Sequence, residues 1–235
     1  MFEKALREEC GYNGAQPYWN WTLDSKNGTD FFDSPVFDET TGFGGDGESG
    51  DKSKHCVQTG PFSNRTFFLN VGPDDQLKYN PHCLSRNFRK EWVGSLESRE
   101  IERLAEATTF KRFDFIIEGT RSSSNDTVPQ NVHSSGHNVV GGDHAHFFSA
   151  NAEPLFYLHH AFLDCLWLEW QLADHTGSRF REISGPQRAY TSEPQVDLDF
   201  QINLALIAPN NITLRRVMDV TKDNTGGIGC YTYDF

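Results

Sequence analysis

The stretch EPLFYLHHAFLDCLWLEWQ, residues 153–171, dictates most of what this chain can become. It is apolar and aromatic almost throughout and too long for a strand, so it reads as a helix buried on nearly all sides. Ser149 or Asn151 is the expected N-cap, with Pro154 in the first turn and an end near Leu172. Such a helix needs other elements packed around it, and 235 residues suffice for one large domain with a substantial core. No internal repeat or linker divides the sequence, so residues 1–235 are read as a single domain. The two adjacent histidines in the middle of the run are the anomaly, because a buried helix has little use for an unpaired imidazole.

Residues 2–9 read as the end of a helix stopped by Gly11, followed by the aromatic cluster PYWNW, which must pack against something large. From Asp24 to about Asn80 the chain is rich in Gly, Asp, Ser and Pro and follows neither periodicity, which predicts long irregular surface structure. LESREIERLAEATTFKRFDFIIEG has Leu96, Ile101, Leu104 and Ala105 at helical spacing, with Gly119 as its stop. NVHSSGHNVVGG reads as a short helix ended by Gly141 and Gly142. The tail holds a strand-like QINLALIAP and a short helix in TLRRVMD.

Most of the nine histidines lie between positions 133 and 160. His133 and His137 stand four apart, so on a helix both rings reach one point on one face. Gly136 keeps that face open. His160 shares the most aromatic stripe of the later helix with Phe156, Leu163 and Trp167, whereas His159 falls on a neighbouring face. A lone H-x-x-x-H is mostly coincidence; a third imidazole on an apolar helix turns it into a candidate metal site. His144 and His146, next to Asp143, read as a solvated loop, and His55, His82 and His175 as surface rings.

A formal net charge of −12 argues against nucleic acid and anionic membranes as partners. No stretch is long and apolar enough to span a bilayer. Of the five cysteines, Cys10, Cys56, Cys83 and Cys230 lie in loop-like surroundings and can form two bridges, while Cys165 reads as a buried thiol. Sequons at Asn20, Asn27, Asn64, Asn125 and Asn211 add to the expectation of a secreted glycoprotein, although Asn20, among aromatics, reads as an accidental one.

AEPLFYLHHAFLDCLW resembles the second copper motif of the tyrosinase and catechol oxidase (polyphenol oxidase) family. HSSGHNVVGG resembles the preceding pair of ligands, and ALREECGYNGAQPYWNW the stretch after the first copper's last ligand. HCVQTGPF, PHCL and the terminal CYTY are similar to segments of short secreted fungal members, so the resemblance runs nearly end to end. It implies a mainly α-helical fold, an incomplete four-helix bundle of the di-copper type with long irregular loops. It implies copper held by His133, His137 and His160, with His159 a non-ligand neighbour. It places Phe156 against a ligand ring and gives Asp164 a hydrogen bond behind the ligands. Asn138, just after the second ligand, is where an amide could orient a water or substrate. The implied partners are dioxygen and a small phenol, oxidised to an o-quinone.

The sequence also departs from the family pattern. Glu153 stands for an aspartate, Cys165 for an arginine that would pair with Asp164, and Asn20 for the aspartate of P-Y-W-D-W. The three histidines of the first copper, which precede the FEKALREEC helix in the family, are not in this chain. Reducing dioxygen by two electrons takes two Cu(I) ions, of which this sequence encodes one site. The chain is therefore read as the C-terminal two-thirds of a type-3 copper oxidase that opens inside a helix. By itself it is expected to expose apolar surface and aggregate. The alternative is an inactive truncated product that binds one metal or none. A three-histidine zinc hydrolase, with Glu118 or Asp143 as base, is a third reading.

Overall fold

A computed structural model describes residues 2–26, 30–49, 55–71, 77–119, 131–188, 191–204, 210–220 and 231–234. The helices are α1 (Phe2–Cys10), α2 (Ser98–Ala105), α3 (Phe110–Ile117), α4 (Val132–Val140), α5 (Leu155–Leu172) and α6 (Leu214–Val217). The strands, β1 (Gly47–Ser49), β2 (His55–Val57), β3 (Thr66–Val71), β4 (Leu77–Cys83), β5 (Gln201–Ile202) and β6 (Ile212–Thr213), form three antiparallel pairs in sequence order. The fold is mainly helical, as expected. The chain divides into two compact units, Met1–Ser98 with His133–Asp164, and Arg99–Val132 with Cys165–Phe235.

In the first unit the aromatic cluster after α1 forms the floor beneath α5. Trp19 packs edge-on against Phe37 with ring centroids 5.5 Å apart and lies 5.7 Å from Phe31. Trp21, wholly buried, meets Phe162 at 4.4 Å, and Tyr18 stacks on Phe162. Asn20, in place of the family's aspartate, caps the turn that follows: its Oδ1 accepts from the N–H and hydroxyl of Thr22. The region expected to be irregular holds single-turn helices but also the pairs β1–β2 and β3–β4. Their residues alternate too briefly to register as strands, and the Cys56–Cys83 disulfide ties β2 to the end of β4.

A short strap after that disulfide holds both histidine-bearing helices. The N–H groups of Asn87 and Arg89 donate to the carbonyls of Val140 and Val139 at the end of α4, and Arg86 donates to His55. The strap runs so close that a Cβ on Gly141 would sit 2.2 Å from the Asn87 carbonyl oxygen, and one on Gly142 2.1 Å from that of Ser85. Both glycines have positive φ, so they stop the helix and admit the strap together. Arg86 then reaches Glu153, before α5, through Nε and Nη2, each 2.8 Å from a carboxylate oxygen. Its Nη1 donates to the carbonyls of Phe43, Gly44 and Gly45. Glu153 Oε1 also accepts from Leu155 N–H, so the cap of α5 is Glu153 and not Ser149 or Asn151. A fully desolvated carboxylate beside the helix start displaced the usual small capping residue.

In the second unit the segment read as one helix is two. Thr109 interrupts it and caps α3 through Oγ1, which accepts from Arg112 N–H, and Gly119 follows with positive φ. Trp170 of α5 organises this unit: its Nε1–H donates to Ala107 at 2.6 Å, Phe113 lies 5.1 Å away, and the Arg179 guanidinium covers its ring at 4.6 Å. Buried Gln171 donates to the carbonyl of Met218. Cys165 is a buried free thiol, as read, and Cys10 an exposed one. Cys230, Asn27 and Asn125 lie outside the described residues, and among these no helix is long and apolar enough to cross a membrane.

Candidate metal centre

Five imidazoles of the first unit come together, four of them carried by α4 and α5. Nε2 of His137 lies 3.0 Å from Nε2 of His133 and 3.2 Å from Nε2 of His160. Three nitrogens ~2.0 Å from one ion in tetrahedral directions are about 3.3 Å apart, so this spacing is close to that of a ligand set. The His137 ring is fixed from behind: its Nδ1 lies 2.8 Å from the carbonyl of His144, which only accepts, so Nδ1 carries the proton and Nε2 the lone pair. Burial, and then the neighbouring His133 and His160, push the His137 pKa down to about 3. The ring is neutral at ordinary pH, as a metal ligand must be. All three residues are half-buried.

A second trio competes with this one. Ring nitrogens of His133, His137 and His159 also lie within 4.8 Å of one another. His159, however, is wholly buried, and its Nε2 is committed to the carbonyl of His133 at 3.0 Å. His160, whose Nε2 lies 3.2 Å from that of His137, is the other candidate for the third position.

Phe156 packs at 4.2 Å from the His160 ring and 5.9 Å from the His137 ring. Asn138 sits one residue past His137, but its Nδ2 donates to the Ser134 carbonyl of its own helix at 2.7 Å. Asp164 is half-buried one turn beyond His160. Asp143 is buried and holds the strap, accepting from the N–H and hydroxyl of Ser85 through Oδ2. His146 is exposed, and its Nδ1 pairs with Ser149 Oγ. His144, read as part of a solvated loop, is instead buried with its ring 4.5 Å from that of His137. Its short, polar neighbours hid the fact that the turn after Gly142 folds inward. His82 likewise is only half-exposed and lies beside Asp143. Arg86 escaped the sequence reading altogether, since nothing in CLSRNF announces a buried guanidinium.

Neutral buried rings make the metal-free chain sensitive to acid. The unfolded chain takes up protons at the ordinary imidazole pKa of about 6.5, whereas folded His137 does so only near 3. Stability is therefore full above pH 6.5 and falls below it, by about 2 kcal/mol at pH 5 from this ring alone. Thermal unfolding of chelator-treated protein at pH 7 and pH 5 checks this; equal midpoints would contradict it.

A family model described as the common central domain of tyrosinase matches residues 1–173. "Tyrosinase ustQ" of Aspergillus flavus is 36% identical, over 99% of this chain and 60% of that protein. "Tyrosinase-like protein phomQ1" of Diaporthe leptostromiformis is 33% identical, over 100% of this chain and 60% of its own length. "N-acetyl-6-hydroxytryptophan oxidase ivoB" of Emericella nidulans is 30% identical, over 100% and 72%. A solved point-mutant form of the polyphenol oxidase from Thermothelomyces thermophila superposes with a TM-score of 0.80 at 28% identity, covering 100% of this chain and 70% of that one.

Proposed function

Because the chain belongs to the tyrosinase family, we propose that it is part of a type-3 copper oxidase that converts phenols or o-diphenols to o-quinones with dioxygen, and that it carries the second of two copper sites. The observation behind this reading is the meeting of three Nε2 atoms from His133, His137 and His160. The donor set suits the metal, since imidazole binds copper, zinc, iron and nickel and copper(II) stands highest of these in the affinity order. Copper, when bound, would supply one-electron redox chemistry and a position for oxygen. The chain's own residues do the rest. The His144 carbonyl holds the His137 proton on Nδ1, and the strap and Glu153 fix the two helices that carry the rings. Phe156 covers the His160 ring on one side and excludes water there.

The chain spans about 60% of the length of its first relatives, and one imidazole cluster is present among the described residues. The second fact favours one copper per chain, so the finer reading is that this chain by itself binds metal without turning over catechol. The Cys56–Cys83 disulfide and exposed sequons at Asn64 and Asn211 support a secreted setting.

Copper titration of the purified chain with an oxygen electrode alongside tests the proposal. Saturation at one ion per chain without catechol-dependent oxygen uptake is expected. No tight copper at all would remove the site, and brisk oxygen uptake at one ion per chain would remove the need for a second.

A further inference from the structure

His159 is the second half of the adjacent pair, and nothing in the proposed copper chemistry uses it. It is nevertheless among the most completely buried polar side chains of the chain, at 0% exposure. Its Nε2 lies 3.0 Å from the carbonyl oxygen of His133. A carbonyl only accepts, so this nitrogen carries the proton and donates across from α5 to α4. Room for the ring exists because residue 136 has no side chain. A Cβ there would lie 2.1 Å from His159 Cε1, 2.5 Å from Nδ1 and 2.7 Å from Nε2. On another side Trp21 lies 5.0 Å away, ring to ring. Nδ1, left with a lone pair, finds no hydrogen-bond partner among the described residues, where the bond to His133 is the one the ring makes.

We infer that His159 is a positioning residue: its Nε2–H bond to the His133 backbone, made in the slot opened by Gly136, sets the separation of α4 and α5 and so brings the His160 nitrogen onto those of His133 and His137. The adjacent pair is thus divided between two tasks. One ring faces the metal position, and the other fastens the helix bearing it to the backbone of a second ligand. This rests on the metal-centre reading above. Bonds that orient ligands in this way change metal affinity by about 10- to 100-fold when removed.

The test uses the whole chain with Cu(II) alone as probe. His159→Leu is expected to bind one copper per chain at least about tenfold more weakly, with the same number of coordinated imidazole nitrogens by pulsed EPR. His159→Gln, which can place an N–H near the same point, should recover affinity to within about threefold. His160→Gln should lose one coordinated nitrogen. A nitrogen lost on changing residue 159 instead would make it a ligand and overturn the inference. So would a leucine variant that binds as tightly as wild type, although the metal centre would then stand. If the wild-type chain holds no copper, the centre falls and the positioning role falls with it. Should the leucine variant not fold, ¹⁵N shifts of the wild-type ring decide: an Nε2–H tautomer with a slowly exchanging proton is expected, and an Nδ1–H tautomer refutes the bond.

Discussion

Replacing Glu153 by alanine is expected to destabilise the chain by about 3–5 kcal/mol, the cost of leaving one partner of a buried ion pair uncompensated. Arg86 and Glu153 are both fully buried and joined by two 2.8 Å bonds. With the carboxylate gone, the guanidinium keeps three carbonyls but no opposite charge, and escape to water is blocked. Leu155 N–H loses its acceptor as well, which adds the usual ~1 kcal/mol of a lost cap. Glu153→Gln keeps the shape and one acceptor and should cost less. The pair is not thereby a large net source of stability. Replacing Arg86 and Glu153 together with methionine and leucine should cost far less than the single alanine change, since no charge remains to be stranded. Urea unfolding of the singles and the double gives the coupling directly. A Glu153→Ala variant within 1 kcal/mol of wild type, on the same scale, would contradict the burial of the pair.

This pair also marks how far the sequence could be read. The long helix was legible because residues 155–172 are apolar on nearly all sides, and its end near Leu172 came out as expected. The meeting of His133, His137 and His160 was legible too, because i, i+4 spacing and an aromatic stripe fix directions within a helix. What failed were features that depend on partners distant in sequence. Glu153 was visible only as a departure from a motif, since its partner lies 67 residues earlier. His144 looked solvated because its burial comes from a turn closed by Asp143 and Ser85, which are 58 residues apart. The break between α2 and α3 was missed for a local reason. Thr109 can cap a helix as well as sit within one, and only the satisfied Arg112 N–H decides which. His159 reads from the sequence as a non-ligand neighbour on another face, yet its ring lies 4.9 Å from that of His137. Its bond to His133 required knowing how close the two helices come.

That closeness makes Gly136→Ala the most informative single methyl group in the chain. By helix preference alone, alanine should stabilise α4 by about 1 kcal/mol relative to glycine. The packing points the other way: the new carbon would meet the His159 ring 2.1 Å from Cε1, and that ring is held by Trp21 and by its bond to His133. Overpacking of this kind costs typically about 1–3 kcal/mol, and here the only relief is to move α4 from α5. The net expectation is a loss of about 0–2 kcal/mol in stability, together with copper binding weakened about tenfold as His160 is drawn away from His133 and His137. The same substitution made in a His159→Ala background should reverse sign. With the ring removed the clash vanishes, and the intrinsic preference for alanine reappears as a gain of about 1 kcal/mol. Denaturant unfolding of the four proteins in the cycle reads both numbers. A Gly136→Ala change that stabilises the chain while His159 is present would mean the ring is not in the slot.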